Sequence, residues 1–288
     1  MSQEWRWLGW KGICIGLMLT LSGCAWLGEQ QRLMIYRPTL SGSQSTTHLA
    51  PSLQHYRLGL RHPTRSEHLA FWWLPHPNAG APTLLYLHGT FRNLEGNLHK
   101  IEALRNAGFS VLAVDYRGWG DSSPLTPSEA SIVQDALVAW TELKNYQPNA
   151  KKRVIYGHSM GSGVAVDLAS QLKSPDDYGG LVLESAFTSF TDVAHASGWL
   201  TSLINLFNRE RFASIEKISR VQAPLLMLHG SQDDTIPIQL GERLFAAANP
   251  PKQWVRVEGA AHSDLDQVDP ALYHASLQGF AASYLSGQ

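Results

Sequence analysis

Arg153-Val154-Ile155-Tyr156-Gly157-His158-Ser159-Met160-Gly161 is the stretch that decides the fold. The run from Arg153 to His158 reads as a buried strand, and the small residues from Met160 to Leu172 read as a helix. Gly-x-Ser-x-Gly at a strand-to-helix junction is a tight, strained turn that lifts a serine hydroxyl clear of the backbone. Side chains two residues before and two after that serine would collide, so both positions take glycine. The turn also aims free N–H groups of the following helix at the serine, and that end of a helix favours developing negative charge.

A serine presented in this way needs a base, and the base needs an orienting carboxylate. Pro224 to Leu228 is an apolar run that leads into His229-Gly230-Ser231-Gln232-Asp233-Asp234-Thr235-Ile236-Pro237, a polar loop with two carboxylates. Gln253 to Val257 alternates as a last strand and leads into Glu258-Gly259-Ala260-Ala261-His262-Ser263-Asp264, a loop with one histidine. Three successive strand ends thus deliver Ser159, an aspartate and His262, on the edge where catalytic groups gather in open α/β sheets. Thr83 to Leu87 is a further apolar strand, followed by His88-Gly89-Thr90-Phe91. The glycine lets the chain turn an N–H toward a substrate carbonyl, so the backbone donors of an oxyanion hole are expected at Thr90 and Met160.

The patterning predicts strands near 55–61, 68–74, 83–88, 110–115, 153–158, 180–184, 224–229 and 253–258. Helices are predicted near 96–107, 127–145, 160–172, 238–247 and 270–285. Strand and helix alternate from residue 83 onward, which implies a mostly parallel eight-stranded sheet with helices on both faces. The first two strands have no helix between them and are expected as an antiparallel edge. Between Ser185 and Val221 the alternation breaks. Trp199, Leu200, Leu203, Ile204, Leu206 and Phe207 recur there in helical spacing, so a small lid is expected at about 187–220. The alternative is an ordinary amphipathic helix packed on the sheet.

These motifs, with Leu85-Tyr86-Leu87-His88-Gly89, Asp115-Tyr116-Arg117-Gly118-Trp119-Gly120-Asp121-Ser122 and Leu183-Glu184-Ser185-Ala186-Phe187-Thr188-Ser189, resemble the α/β-hydrolase superfamily. The resemblance is to its small, lightly capped branch, which has acyl-protein thioesterase-like and monoacylglycerol-lipase-like members, and it covers about residues 30–285. It implies the α/β-hydrolase fold and a Ser-His-Asp triad. Its pattern His-Gly-x-x-Asp-x-x-(Val/Ile)-Pro puts the acid on Asp233 rather than Asp234. It makes His88 and His229 structural and gives Asp115, Asp121, Asp135 and Glu184 loop and packing roles. Thr90 departs from the pattern, where relatives often carry Asn or Gly. His158 adjoins the serine, and its side chain is expected to point away from the site; His195 is a candidate for the lid lining.

The amino terminus sets an address. Arg6 and Lys11 precede an apolar run, Gly12 to Leu21, that is too short to span a bilayer and reads as a signal peptide over residues 1–23. It ends in Leu21-Ser22-Gly23-Cys24, which resembles the lipobox of bacterial lipoproteins. The resemblance implies a lipidated Cys24 as mature amino terminus, with residues 24–54 as lipidated end and tether and 55–288 as the hydrolase domain. Ala25, where an inner-membrane retention signal is usually Asp, points to the outer membrane facing the periplasm. Several acyl chains would anchor the chain stably.

The chain has two cysteines, Cys14 and Cys24, so a cysteine nucleophile and a cysteine zinc site are excluded from the domain. The 23 basic and 24 acidic residues leave a formal charge of −1 and form no basic patch that would suit nucleic acid. No cofactor is expected, and no carboxylate–histidine cluster has metal spacing. The expected function is a serine hydrolase cleaving acyl esters or thioesters, small-molecule or lipid, through an acyl-enzyme. The alternatives are a peptidase of the same fold and a catalytically inactive surface-binding lipoprotein. Metabolic labelling with an alkyne palmitate analogue is expected to mark the wild type and not Cys24→Ser. An unlabelled wild type that retains Met1 would exclude the lipidated form.

Overall fold

The computed structural model describes residues 26–41, 52–61, 64–198 and 210–286. The signal segment, Cys24 and the stretch from Trp199 to Phe207 lie outside them. One sheet runs through β1 Gln54–Leu60, β2 Glu67–Leu74, β3 Thr83–Leu87, β4 Ser110–Asp115, β5 Arg153–His158, β6 Gly180–Glu184, β7 Leu225–Gly230 and β8 Lys252–Val257. Its spatial order is β1-β2-β4-β3-β5-β6-β7-β8. β1 pairs antiparallel with β2, and β2 with β4; every other pair is parallel. The helices are α1 at 26–36, α2 Leu98–Asn106, α3 Glu129–Tyr146, α4 Met160–Gln171, α5 Phe190–Ala196, α6 Ile238–Ala247, α7 Leu265–Val268 and α8 Pro270–Tyr284.

The central strands are apolar on both sides because both sides are covered. Alternation by two sorts them: Leu85, Leu112, Ile155 and Leu183 face one core, and Leu84, Tyr86, Val154 and Val182 face the other. The first core is closed by Ile132 and Ala136 of α3, Val164 and Leu168 of α4, and Leu244 of α6. The second is closed by Ile101 and Leu104 of α2 and by Tyr273, Leu277 and Phe280 of α8. The chain leaves β3 over one face and returns from β4 over the other to reach β5. The strand order therefore reverses beside β3 and β5, the kind of place where open α/β sheets hold ligands.

Local chemistry sets the helix ends. α3 begins two residues later than its pattern predicts because Ser128 and Ser131 form a reciprocal capping box. The α8 boundary follows from Asp269, whose carboxylate accepts the Leu272 N–H, and from Pro270 in the first turn. The largest departure is α1, which falls inside the expected tether. Tyr36 at its end is fully buried, donates its hydroxyl to Glu210 Oε2 at 2.5 Å, and packs edge-on against Trp119 and Phe212. The burial of one aromatic ring fixes this segment against the domain.

The Asp115–Ser122 motif is a turn built on close packing. Asp115 Oδ1 accepts the Leu94 N–H at 3.0 Å, and a Cβ at Gly120 (φ 52°) would stand 1.8 Å from Asp115 Oδ2. The Ser122 hydroxyl donates to Asp115 O at 2.5 Å and accepts the Ala70 N–H at 2.8 Å, tying β4 to β2. Burial pushes the Asp115 carboxyl up to about 8 and the His88 imidazole, 3.5 Å away, down to about 4. Both side chains are therefore neutral near pH 7. A carboxyl raised by folding contributes stability at acid pH that is lost as pH rises from the ordinary carboxylate range through about 8. Asp115→Asn is expected to remove this loss: its Tm relative to wild type should climb between about pH 5 and pH 8. A Tm difference that stays flat across that range in thermal melts would contradict the assignment.

Candidate functional site

Ser159 lies at φ 54° and ψ −125° between β5 and α4. The turn is this tight because nothing but hydrogen fits around it. A Cβ at Gly157 would stand 2.2 Å from the Gly161 carbonyl oxygen, and one at Gly161 would stand 2.0 Å from the Leu87 carbonyl oxygen. Gly89 after β3 is packed against the serine itself, with its Cβ position 3.0 Å from Ser159 Cβ. That approach brings Thr90 alongside, and Thr90, Met160 and Ser159 line one cavity.

Ser159 Oγ lies 2.8 Å from His262 Nε2, and His262 Nδ1 lies 2.8 and 3.0 Å from the two oxygens of Asp233. The carboxylate can only accept, so a neutral His262 carries its hydrogen on Nδ1 and takes the serine proton at Nε2. The loops after β5, β7 and β8 thus bring together the three residues picked from the sequence. Asp233 is buried and also accepts the N–H groups of Thr235 (3.0 Å) and Ile236 (2.7 Å) on Oδ1. Its burial alone would raise its pKa, but hydrogen bonds from His229 and His262 override that and hold it well below the usual carboxylate range. Asp234 is exposed and reaches only the Thr235 hydroxyl among the hydrogen bonds of this loop.

The residues around this line do more than the sequence disclosed. His229 is structural, as expected, but what it fixes is the acid. Its Nε2–H donates to Ile236 O at 2.9 Å and lies 3.3 Å from Asp233 Oδ2. His158 was expected to point away from the site; instead its ring lies against that of His262, with centroids 5.3 Å apart. Its Nε2–H donates to the His262 carbonyl at 3.1 Å, and the Ser185 hydroxyl donates to the same oxygen at 3.0 Å. Burial pushes His158 down to about 3, so it stays a neutral donor across the working range. Behind it Glu184, Lys100 and Asp266 form a buried ion group, with Lys100 Nζ 2.6 Å from Glu184 and 3.0 Å from Asp266. Burial raises the Glu184 pKa, but the ammonium beside it wins and holds it at about 2. A lysine in a helix gives no signal of this pairing, because its partners, Glu184 at the end of β6 and Asp266 in α7, are distant in sequence.

Two cavities meet at Ser159. One, of about 210 Å³, is walled by Ile35 of α1, Phe187, Phe190, Val193 and Ile236. It is apolar, and among the described residues none of the side chains lining it is a carboxylate. The other, of about 180 Å³, is lined by Arg92, Asn97, His158, His262 and Ser263. Phe190 and Val193 belong to the expected lid region, while His195 is exposed and lines neither cavity.

Residues 81–212 match the family described as serine aminopeptidase, S33. The chain is 35% identical over 244 residues to an uncharacterized protein of Mycobacterium tuberculosis, covering 84% of this chain and 83% of that one. It is 34% identical over 197 residues to the lysophosphatidylserine lipase ABHD12 of Danio rerio, covering 62% of this chain and half of the lipase. Among solved structures, an esterase of Pyrococcus furiosus superposes with a TM-score of 0.67 at 21% identity, covering 86% of this chain and 97% of that one. A monoacylglycerol lipase of Paleococcus ferrophilus gives 0.56 at 20% identity, over 74% and 98%. The chain belongs to the α/β-hydrolase family and is a serine hydrolase.

The two neighbouring carboxylates separate the possible assignments of the acid. Asp233→Asn is expected to lower kcat/KM on a short-chain ester by about 10⁴-fold, because an amide can enforce the wrong imidazole tautomer. Asp234→Asn should leave it within about threefold, as a surface change does. Equal losses in the two variants would place the acid elsewhere.

Proposed function

We propose that the chain hydrolyses acyl esters of lipid-like substrates through an acyl-enzyme on Ser159. His262 takes the serine proton as Ser159 attacks the carbonyl, and it then gives that proton to the leaving alcohol. Asp233 holds the imidazole and stabilises its charged form. The backbone N–H groups of Thr90 and Met160 bind the oxyanion, the largest single contribution in acyl transfer of this kind. Water then attacks the acyl-enzyme with His262 again as base. The observation that carries this reading is the line from Ser159 Oγ through His262 to Asp233 opening onto an apolar cavity.

The two cavities divide the substrate. An acyl chain suits the apolar one, and a polar alcohol or headgroup suits the one beside Arg92 and Asn97. The relatives named as lipases and esterases support a lipid ester. The family description as an aminopeptidase favours a second reading, but an aminopeptidase needs an anion for the substrate's ammonium. No carboxylate side chain lines either cavity among the described residues. A thioester would fit the same geometry. Lipidation of Cys24 at the cell envelope, most simply at the outer membrane, would bring the site to such substrates.

A fluorophosphonate should label the wild type, and Ser159→Ala should abolish labelling and lower ester kcat by about 10⁴- to 10⁶-fold. A panel of p-nitrophenyl esters of graded chain length, set beside aminoacyl p-nitroanilides, tests the class. Turnover of esters and not anilides is expected. Faster turnover of the anilides would favour the peptidase, and labelling retained in Ser159→Ala would remove Ser159 as the nucleophile.

A further inference from the structure

Among the described residues, nine large apolar side chains are exposed, and six of them sit on 26–40 or at Phe91. They are Trp26, Leu27, Leu33, Met34, Leu40 and Phe91. Single exposed hydrophobics are ordinary, but a cluster marks a surface with a partner. On α1 the exposed set falls at 26, 27, 33 and 34, which is one face of a helix, broken only by the uncharged Gln30. Trp26 is 62% and Met34 60% exposed. The opposite face turns inward: Tyr36 is fully buried, Ile35 packs against the core, and Gln31 and Ile35 wall the apolar cavity that leads to Ser159. α1 thus presents apolar side chains outside as well as inside, with Glu29 at the edge of the outer face, and an exposed apolar cluster of this kind is normally covered.

Two observations say what covers it. The first is continuity with the substrate path. Phe91, 46% exposed, lines both cavities, and the Arg37 guanidinium stands 4.9 Å from its ring at the carboxyl end of α1. An apolar face rimmed by a cation at the mouth of an acyl cavity has the composition of an interfacial helix on phospholipid. The second is the chain that enters α1. Its sequence runs through the apolar stretch Gly12 to Leu21 and Cys24, two residues before Trp26. Two residues reach no further than about 7 Å. A lipid on Cys24, or an uncleaved apolar segment, would hold the same face of α1 at a bilayer.

We propose that the outer face of α1, formed by Trp26, Leu27, Leu33 and Met34 with Phe91 beside it, docks on a phospholipid surface so that the acyl substrate passes from the lipid into the cavity behind Ile35. The consequence for substrate choice rests on the ester-hydrolase reading; the docking does not. The test uses the full-length chain with Trp26→Ser, Leu27→Ser, Leu33→Ser and Met34→Ser combined, none of which lines either cavity. Two rates are compared: hydrolysis of p-nitrophenyl butyrate in solution, and release of oleate from monooleoylglycerol in phosphatidylcholine–phosphatidylglycerol vesicles. The soluble rate should stay within about twofold, and the vesicle rate should fall at least about tenfold, since each lost apolar side chain weakens partition into the interface. Unchanged vesicle turnover, or proportional loss of both rates, overturns the proposal. So does a wild-type dimer that the combined variant converts to monomer without a change in the ratio of the two rates, because a second copy would then be the occupant. If the wild type cleaves neither ester, the ester reading fails while docking is still measured. Vesicles of brominated phosphatidylcholine should quench Ser159→Ala fluorescence, and adding Trp26→Phe should remove part of that quenching. An equal quench in both chains overturns the docking.

Discussion

The site depends on a gap between β3, β5 and α4 that is too narrow for a methyl group. Three main-chain segments meet there through glycine: Gly157 against Gly161, Gly161 against Leu87, and Gly89 against Ser159. Ser159 is held in a conformation that costs an L-residue about 1–3 kcal/mol. The cost is borne because both flanks are pinned. The Ser159 N–H donates to Glu184 O at 3.0 Å, and α4 beyond it is buried over most of its length in the larger core. A methyl group at Gly157 or Gly161 would have to push main chain rather than a side-chain tip, so the elbow has no cheap way to relax.

Glu184 links this turn to the rest of the site. Its carbonyl holds the Ser159 N–H, and its carboxylate lies against Lys100, Tyr156 and Tyr273 with His158 3.9 Å away. His158 in turn holds the main chain of His262. The position of Ser159 and that of His262 are therefore set by one buried group of charges and hydroxyls rather than by two independent loops. Such a group adds little net stability, since desolvation consumes most of the Coulomb attraction, but removing one partner typically costs about 3–5 kcal/mol. This favours geometry over stability: the arrangement is costly to distort and has few alternatives.

Most of the sheet was legible because its strands carry their own signature. Leu84 to Leu87, Val154 to Tyr156 and Leu181 to Leu183 are continuous apolar runs, and only a strand covered on both faces needs that. The order Ser159, Asp233, His262 was legible because each residue sits in a glycine-marked loop just past a strand, Ser159 and Asp233 after continuous apolar runs and His262 after the alternating Gln253 to Val257. What could not be read came from contacts distant in sequence. Lys100 looks like a solvated helix residue until Glu184 and Asp266 surround it. His158 looks like a strand end until His262 lies against it, 104 residues later. α1 was missed because large apolar side chains fall on its exposed side (Trp26, Leu27, Leu33, Met34) as well as its buried one, so no single apolar stripe marks it, and the burial of Tyr36 is decided by Glu210 and Phe212 far along the chain.

The asymmetry around Ser159 bears on the direction of the proposed reaction. A strand-end serine is open to approach from two sides, and here the sides differ in kind: Phe187, Phe190 and Ile236 on one, Arg92, Asn97 and His158 on the other. An acyl-enzyme whose chain fills the apolar side leaves the polar side vacant once the alcohol departs. His262 Nε2 is at the boundary, and the imidazole is 17% exposed. Water entering on the polar side therefore meets the base on the path by which the alcohol left, as microscopic reversibility asks of one histidine serving both half-reactions. An acyl chain that fills the apolar side would keep water from it, so the chain itself would help to direct the nucleophile. Chain length would then act on deacylation as well as on binding, because a chain too short to fill the space behind Ile35 and Phe190 would leave that side open to unproductive water.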